Sequence, residues 1–93
     1  MNLRMMAGLR DYYRAMSDGA RLRIVEQLAQ SDRTVMELAR GLKMSQPLVS
    51  WHLRRLVRAG IVKMVRTGRQ VRVSLDRSRV KEYTRVVEAL FAK

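Results

Sequence analysis

The sequence predicts a mainly α-helical domain with one β-hairpin, its elements in the order α-α-α-α-β-β-α. Three observations lead there. Apolar residues recur at helical spacing through four successive stretches and again near the end of the chain. Between Gly60 and Leu75 the apolar period shortens from about 3.6 residues to 2. And no acidic residue lies between Glu37 and Asp76, although Arg40, Lys43, Arg54, Arg55, Arg58, Lys63, Arg66, Arg69 and Arg72 all do.

The first helix is expected over about 3–16, with Leu3, Met6, Leu9, Tyr13 and Met16 on its apolar side. Ser17 or Asp18 offers the cap of a second helix carrying Leu22, Ile24, Val25 and Leu28. Thr34 followed three residues later by Glu37 fits a capping box. The third helix then runs through Leu38 to about Leu42, ended by Gly41 and Lys43.

The next stretch reads SQPLVSWHLRRLVRAG, Ser45 to Gly60. Ser45 can accept from the first free N–H groups, and Pro47 sits in the first turn, where its missing N–H is not needed. Gly60 supplies the left-handed residue that stops a helix. The fourth helix therefore covers about 46–59. Two helices joined by so short a turn form a helix-turn-helix.

Val71, Val73 and Leu75 alternate with polar residues, and Val62 and Met64 do so less cleanly. Thr67-Gly68-Arg69 is the turn between them, so about 61–75 form a hairpin with a basic tip. Asp76 can cap a last helix, about 77–92, with Val80, Tyr83, Val86, Val87, Leu90 and Phe91 on one face.

With 93 residues the chain is expected to form a single domain, 1–93. So short a chain buries only about 60–65 % of its unfolded surface, which makes a partner subunit a reasonable expectation. There is no cysteine, which excludes disulfides, thiolate metal sites and thiol catalysis. The opening MNLRMMAGLRDYYR carries arginines through its apolar stretch, unlike a secretory leader. No apolar run approaches a membrane span. The expected location is the cytoplasm, with no membrane partner.

The 20 basic and 8 acidic residues give a net charge of +12 and point to a polyanion: DNA, RNA or an anionic membrane. A helical wheel resolves more. With Val49 at zero and about 100° per residue, Leu53, Leu56 and Val57 fall on the same arc and face the core. Pro47, Trp51, Arg54, Arg55 and Arg58 fall on the opposite arc, with Ser50 and His52 on the flanks. A basic, aromatic face with small polar groups at its N-terminal end suits a helix that enters a DNA major groove. Gln46 and Ser50 can reach base edges, and Arg54 and Arg55 can pair with phosphates or guanine.

These residues resemble the arsenical-repressor (ArsR) family of winged helix-turn-helix transcription factors. The resemblance covers Ala15 to Leu75, about two thirds of the chain, in AMSDGARLRIVEQL, VMELARGLKMSQPLVSWHLRRLVRAGIV and RTGRQVRVSL. The central stretch is the specific one, because ELA, SQ, VS-x-HL-x-x-L and AG-[IL]-V occur together at family spacing. The resemblance implies a recognition helix at about 46–59, a wing at about 61–75 and a homodimer built from the first and last helices. It implies base or backbone contacts at Gln46, Pro47, Ser50 and Trp51, and a backbone or minor-groove contact at Arg69. The expected DNA-binding set is thus Ser45, Gln46, Pro47, Ser50, Trp51, Arg54, Arg55, Arg66 and Arg69. The expected dimer set is Leu9, Tyr12, Tyr13, Tyr83, Val87, Leu90 and Phe91, the tyrosines alternatively lining an effector pocket between subunits.

The sequence departs from the family in sensing. Where many members carry a cysteine pair on the third helix, this chain has Thr34-Val35-Met36-Glu37-Leu38, and residues 77–93 hold no histidine. No metal or other cofactor is expected, and the effector is not legible. His52 is the sole histidine, a poor ligand set by itself. Ser50 and His52 do not aim at each other along one helix, and no orienting acid is near in sequence, so no catalytic residue is expected. The seven methionines fit flexible core filling better than redox sensing. The expected function is a dimeric, sequence-specific repressor on a promoter palindrome. Its rivals are a winged-helix protein-interaction module and a nonspecific nucleic-acid binder.

Overall fold

The computed structural model describes residues 2–92; the first and last residues of the expected 1–93 domain lie outside it. The elements are α1 (Leu3–Met16), α2 (Gly19–Gln30), β1 (Arg33–Thr34), α3 (Val35–Leu42), α4 (Gln46–Arg58), β2 (Val62–Thr67), β3 (Gln70–Leu75) and α5 (Arg77–Phe91). Each helix begins on a side-chain cap that offsets an orphan backbone N–H. Asn2 accepts from Met5 N at 2.7 Å, Asp18 from Arg21 N at 3.0 Å, Ser45 from Leu48 N at 3.3 Å and Asp76 from Arg79 N at 3.1 Å.

Thr34 does two things at once. It is the second residue of β1, opposite Arg72 of β3. It is also the cap of α3: its Oγ1 accepts from Glu37 N at 3.1 Å while Glu37 Oε1 accepts from Thr34 N at 2.8 Å. The expected hairpin is therefore the larger part of a three-stranded antiparallel sheet, order β1-β3-β2. A two-residue strand has no period to read, so β1 is an addition to the predicted order.

Within the hairpin Val62 pairs with Leu75 and Thr67 with Gln70, leaving Gly68 and Arg69 as a two-residue turn. Gly68 takes φ +62°, the left-handed geometry that such turns need. Gly60 closes α4 at φ +77°, as expected. The end of α3 differs: Gly41 stays inside the last turn, and Lys43 takes the left-handed position at φ 56°.

Ile24 and Leu28 of α2, Leu38 of α3, Val49, Leu53 and Leu56 of α4, Ile61 and Val73 are fully buried together. They form one core beneath the helix-turn-helix and the sheet. The buried arc of α4 is rotated from the expected one. It runs from His52, 6 % exposed, through Leu56 and Val49 to Leu53, and Val57 falls off its edge at 41 % exposed.

The terminal helices meet through aromatic packing. The rings of Tyr12 and Tyr83 stack at 4.7 Å, and Tyr13 meets Tyr12 edge-on at 5.2 Å. Tyr12 and Tyr83 are thus buried inside one protomer, and Leu9 and Val87 are half-buried. Leu3, Met6, Tyr13, Leu90 and Phe91 remain exposed on the same two helices. Among the described residues no helix is long and apolar enough to cross a membrane.

Candidate nucleic-acid interface

The first turn of α4 is fixed by Ser45, whose hydroxyl is occupied as a cap, and by Pro47. Gln46 and Pro47 are exposed there, and Ser50 is half-buried one turn on. Across from them stands the β2–β3 hairpin. Between the two lies a groove of about 280 Å³ whose walls include Gln46 and Ser50 on one side and Arg66, Arg69 and Gln70 on the other. Of the expected contacts, Gln46, Ser50, Arg66 and Arg69 are therefore brought to one place from separate elements. Gln70 was not expected there; as the first residue of β3, paired with Thr67, it carries no sequence signal beyond its closeness to the turn.

Trp51, Arg54 and Arg55 lie outside the groove, on the exposed arc of α4. Trp51 is 42 % exposed. The Arg55 guanidinium sits 4.1 Å from its ring centroid, a cation–π pair, and His52 meets it edge-on at 5.0 Å. This flat apolar face beside a guanidinium suits a sugar or a base.

The arginines of this surface carry little internal compensation. Among the described residues no Lys or Arg lies within 4.0 Å of a carboxylate; the one close approach of a basic side chain to an acid is that of His52 to Asp18, at 3.9 Å. The carboxylates flanking the basic stretch are engaged in caps. Hydrogen bonds from Thr34, then the nearby Arg72 and Arg33, hold Glu37 below the usual carboxylate range. Ser78 and the Arg79 N–H, then Lys63, do the same for Asp76. What faces outward between them is positive and unpaired, as a phosphate-binding surface needs.

Beneath α4, His52 has partners that the sequence did not reveal. Arg21 Nη1 of α2 lies 3.2 Å from its Nδ1, and the α2 cap Asp18 faces it. Burial lowers the imidazole pKa; Asp18 opposes this, and Arg21 and Arg55 add to it. A neutral ring accepting at Nδ1 from Arg21 satisfies that geometry. Ser50 does not share this cluster, so no nucleophile and base are paired. Among the described residues no three His, Asp or Glu side chains are grouped to hold a metal.

The family model described as bacterial regulatory protein, arsR family, matches residues 18–64, from the α2 cap into β2. Over 58 residues the chain is 48% identical to the HTH-type transcriptional repressor SmtB of Mycobacterium tuberculosis, covering 62% of this chain and 43% of that one. The chain thus spans about half the length of that relative. An ArsR-like transcriptional regulator from Rhodococcus superposes with a TM-score of 0.84 at 28% identity, covering 91% of this chain and 80% of that one. A homodimeric winged helix-turn-helix DNA-binding domain from Mycobacterium bovis shares the fold, with a TM-score of 0.78 at 23% identity and coverage of 91% and 80%. The family is one of regulators and not of enzymes. With its helix-turn-helix, its hairpin wing and the match across half its length, this chain belongs to the arsR family of bacterial regulatory proteins.

Proposed function

We propose that the chain is a DNA-binding transcriptional repressor that acts as a homodimer on a palindromic operator. The observation that carries this is the groove in which Gln46 and Ser50 of α4 face Arg66 and Arg69 of the hairpin, with no carboxylate among the described residues paired to either arginine. In this reading α4 enters the major groove by its N-terminal end, where Gln46 and Ser50 read base edges. Arg54, Arg55, Arg66 and Arg69 neutralise phosphates, and the helix N-terminus adds its partial positive charge. The exposed Leu3, Met6, Tyr13, Leu90 and Phe91 supply apolar surface for a second copy. Support for pairing comes from the thin core of so short a chain and from the homodimeric relative of the same fold. Occupancy of the operator excludes RNA polymerase, a reading that goes with a cytoplasmic location beside the DNA.

The test is fluorescence anisotropy on duplex DNA from upstream of the gene against random duplex, at two salt concentrations. A preference for the upstream DNA that survives near-physiological salt is expected. Equal binding to both, erased by salt, overturns the reading and leaves only charge.

A further inference from the structure

At the far end of α4 from the groove, four arginines line one cleft. The cleft, of about 180 Å³, is lined by Arg14 of α1, Arg21 of α2, and Arg55 and Arg58 of α4, with Asp11 as its one carboxylate. Part of this clustering has an ordinary cause. Arg14 lies in the last turn of α1, and Arg55 and Arg58 lie in the last turn of α4. Cations are favoured there, because each helix C-terminus is equivalent to about half a negative charge. The two termini together offset about one of the four positive charges. Asp11 offsets another, and Asp18, whose carboxylate acts on Arg21, offsets part of a third, so between about one and two remain. No carboxylate among the described residues lies within 4.0 Å of any of these guanidiniums.

Arg21 shows that the arrangement is built. Its Nε donates to Ala15 O at 2.7 Å, and Nη1 lies 3.2 Å from His52 Nδ1. The side chain is half-buried and held in place by two neutral acceptors, and the Asp18 carboxylate near it compensates its charge in part. A fixed, half-buried guanidinium in a cleft lined by three further arginines favours a further anion beyond Asp18.

We propose that this cleft binds a small dianionic oxyanion of the phosphate class, either free inorganic phosphate or the terminal group of a phosphomonoester. Guanidinium forks match the oxygens of such a group, and its charge of about 1.5 to 2 at neutral pH suits the excess. The cleft is smaller than the roughly 300–1,000 Å³ of pockets for drug-sized ligands, so it takes a phosphoryl group and leaves any organic body outside. A DNA backbone phosphate is the weaker fit, because the cleft lies about 20 Å along α4 from the end that faces the groove. The binding site stands without the DNA-binding reading. Its consequence touches that reading, because Arg55 is shared: its guanidinium rests 4.1 Å from the Trp51 ring on the exposed arc. A dianion in the cleft draws Arg55 off Trp51 and changes that arc.

The test is a titration of the isotopically labelled protein with inorganic phosphate, without DNA, at constant ionic strength set by sodium chloride. Saturable amide shifts are expected around Arg14, Arg21, Arg55 and Arg58, with the Trp51 indole signal moving in step. Arg14→Gln combined with Arg58→Gln should weaken binding by about tenfold or more while circular dichroism shows the helices intact. Arg14→Gln alone, which leaves α4 untouched, should give a smaller loss in the same direction. Shifts that chloride reproduces at equal ionic strength overturn the proposal, since they report only screening. Saturable shifts that survive both substitutions also overturn it, by placing the phosphate elsewhere. So does a silent titration in which the double substitution instead lowers the salt dependence of DNA binding, which would assign the cleft to the DNA backbone.

Discussion

Gly8 of α1 lies against the hydroxyl of Tyr83 of α5 so closely that a Cβ on Gly8 would stand 2.8 Å from that oxygen. This contact lets Tyr83 reach the Tyr12 ring and lock the last helix onto the first.

The first prediction follows from that contact. Alanine normally stabilises a helix interior by about 0.5–1 kcal/mol over glycine. Here Gly8→Ala should lower the melting temperature, because a ring stacked on Tyr12 has little room to yield. Tyr83→Phe in the same background removes the oxygen and should restore most of the loss. A Gly8→Ala protein as stable as wild type would show that α5 is loosely held.

The second concerns pH. Burial holds the His52 pKa below its ordinary value of about 6.5, with Asp18 opposing and Arg21 and Arg55 reinforcing the shift. The unfolded chain therefore takes up this proton first as pH falls. The contribution is fully present above about pH 6.5, is lost below it, and levels off once the folded ring also titrates. The cost is about 1.4 kcal/mol for each pH unit over which only the unfolded chain holds the proton. Urea midpoints at pH 7.5 and 5.5 should fall for wild type and change less for His52→Gln, which keeps an acceptor for Arg21.

The third separates positioning from reading at the groove. Arg66→Ala and Arg69→Ala should weaken binding equally on all sequences and each reduce the salt slope by about 0.9. Gln46→Ala should instead cost about 1–3 kcal/mol on the preferred operator and relax the preference at one position. Anisotropy on operator variants at several salt concentrations distinguishes the two patterns.

The fourth tests the unpaired apolar surface of the terminal helices. Leu90→Glu should shift the protein toward monomer in light scattering, with little effect on the melting of the protomer core, because Leu90 is exposed. DNA affinity should fall with it, since one half-site is then held by one subunit.

What the sequence revealed and what it hid divide along the range of the interactions. The caps at Asp18, Thr34, Ser45 and Asp76 were legible because a cap bonds within three residues of itself. Gly60 and Gly68 were legible because their backbone angles suit few other residues. The burial of His52 was not, because its partners Asp18 and Arg21 stand at the start of another helix. Those partners let a polar ring enter the core, and the buried arc of α4 turns toward it and away from Val57. The tyrosines were assigned to the surface between subunits. Only the geometry of α1 against α5 shows that two of the three are consumed within one chain. Gln46, Ser50, Arg66 and Arg69 were each named from local pattern, whereas their convergence on one groove depends on the sheet.

That sheet depends in turn on Thr34, which is both a strand residue opposite Arg72 and the cap of α3. The hairpin and the helix-turn-helix are therefore pinned to a single backbone position. Neither can slide without breaking the other's hydrogen bonds. On the proposed reading, the gap between α4 and the hairpin would act as a calliper: a duplex whose backbone spacing does not suit that gap would have to deform to bind. On that reading, discrimination by DNA stiffness, at positions that no side chain touches, starts from a threonine in the wall of that same groove.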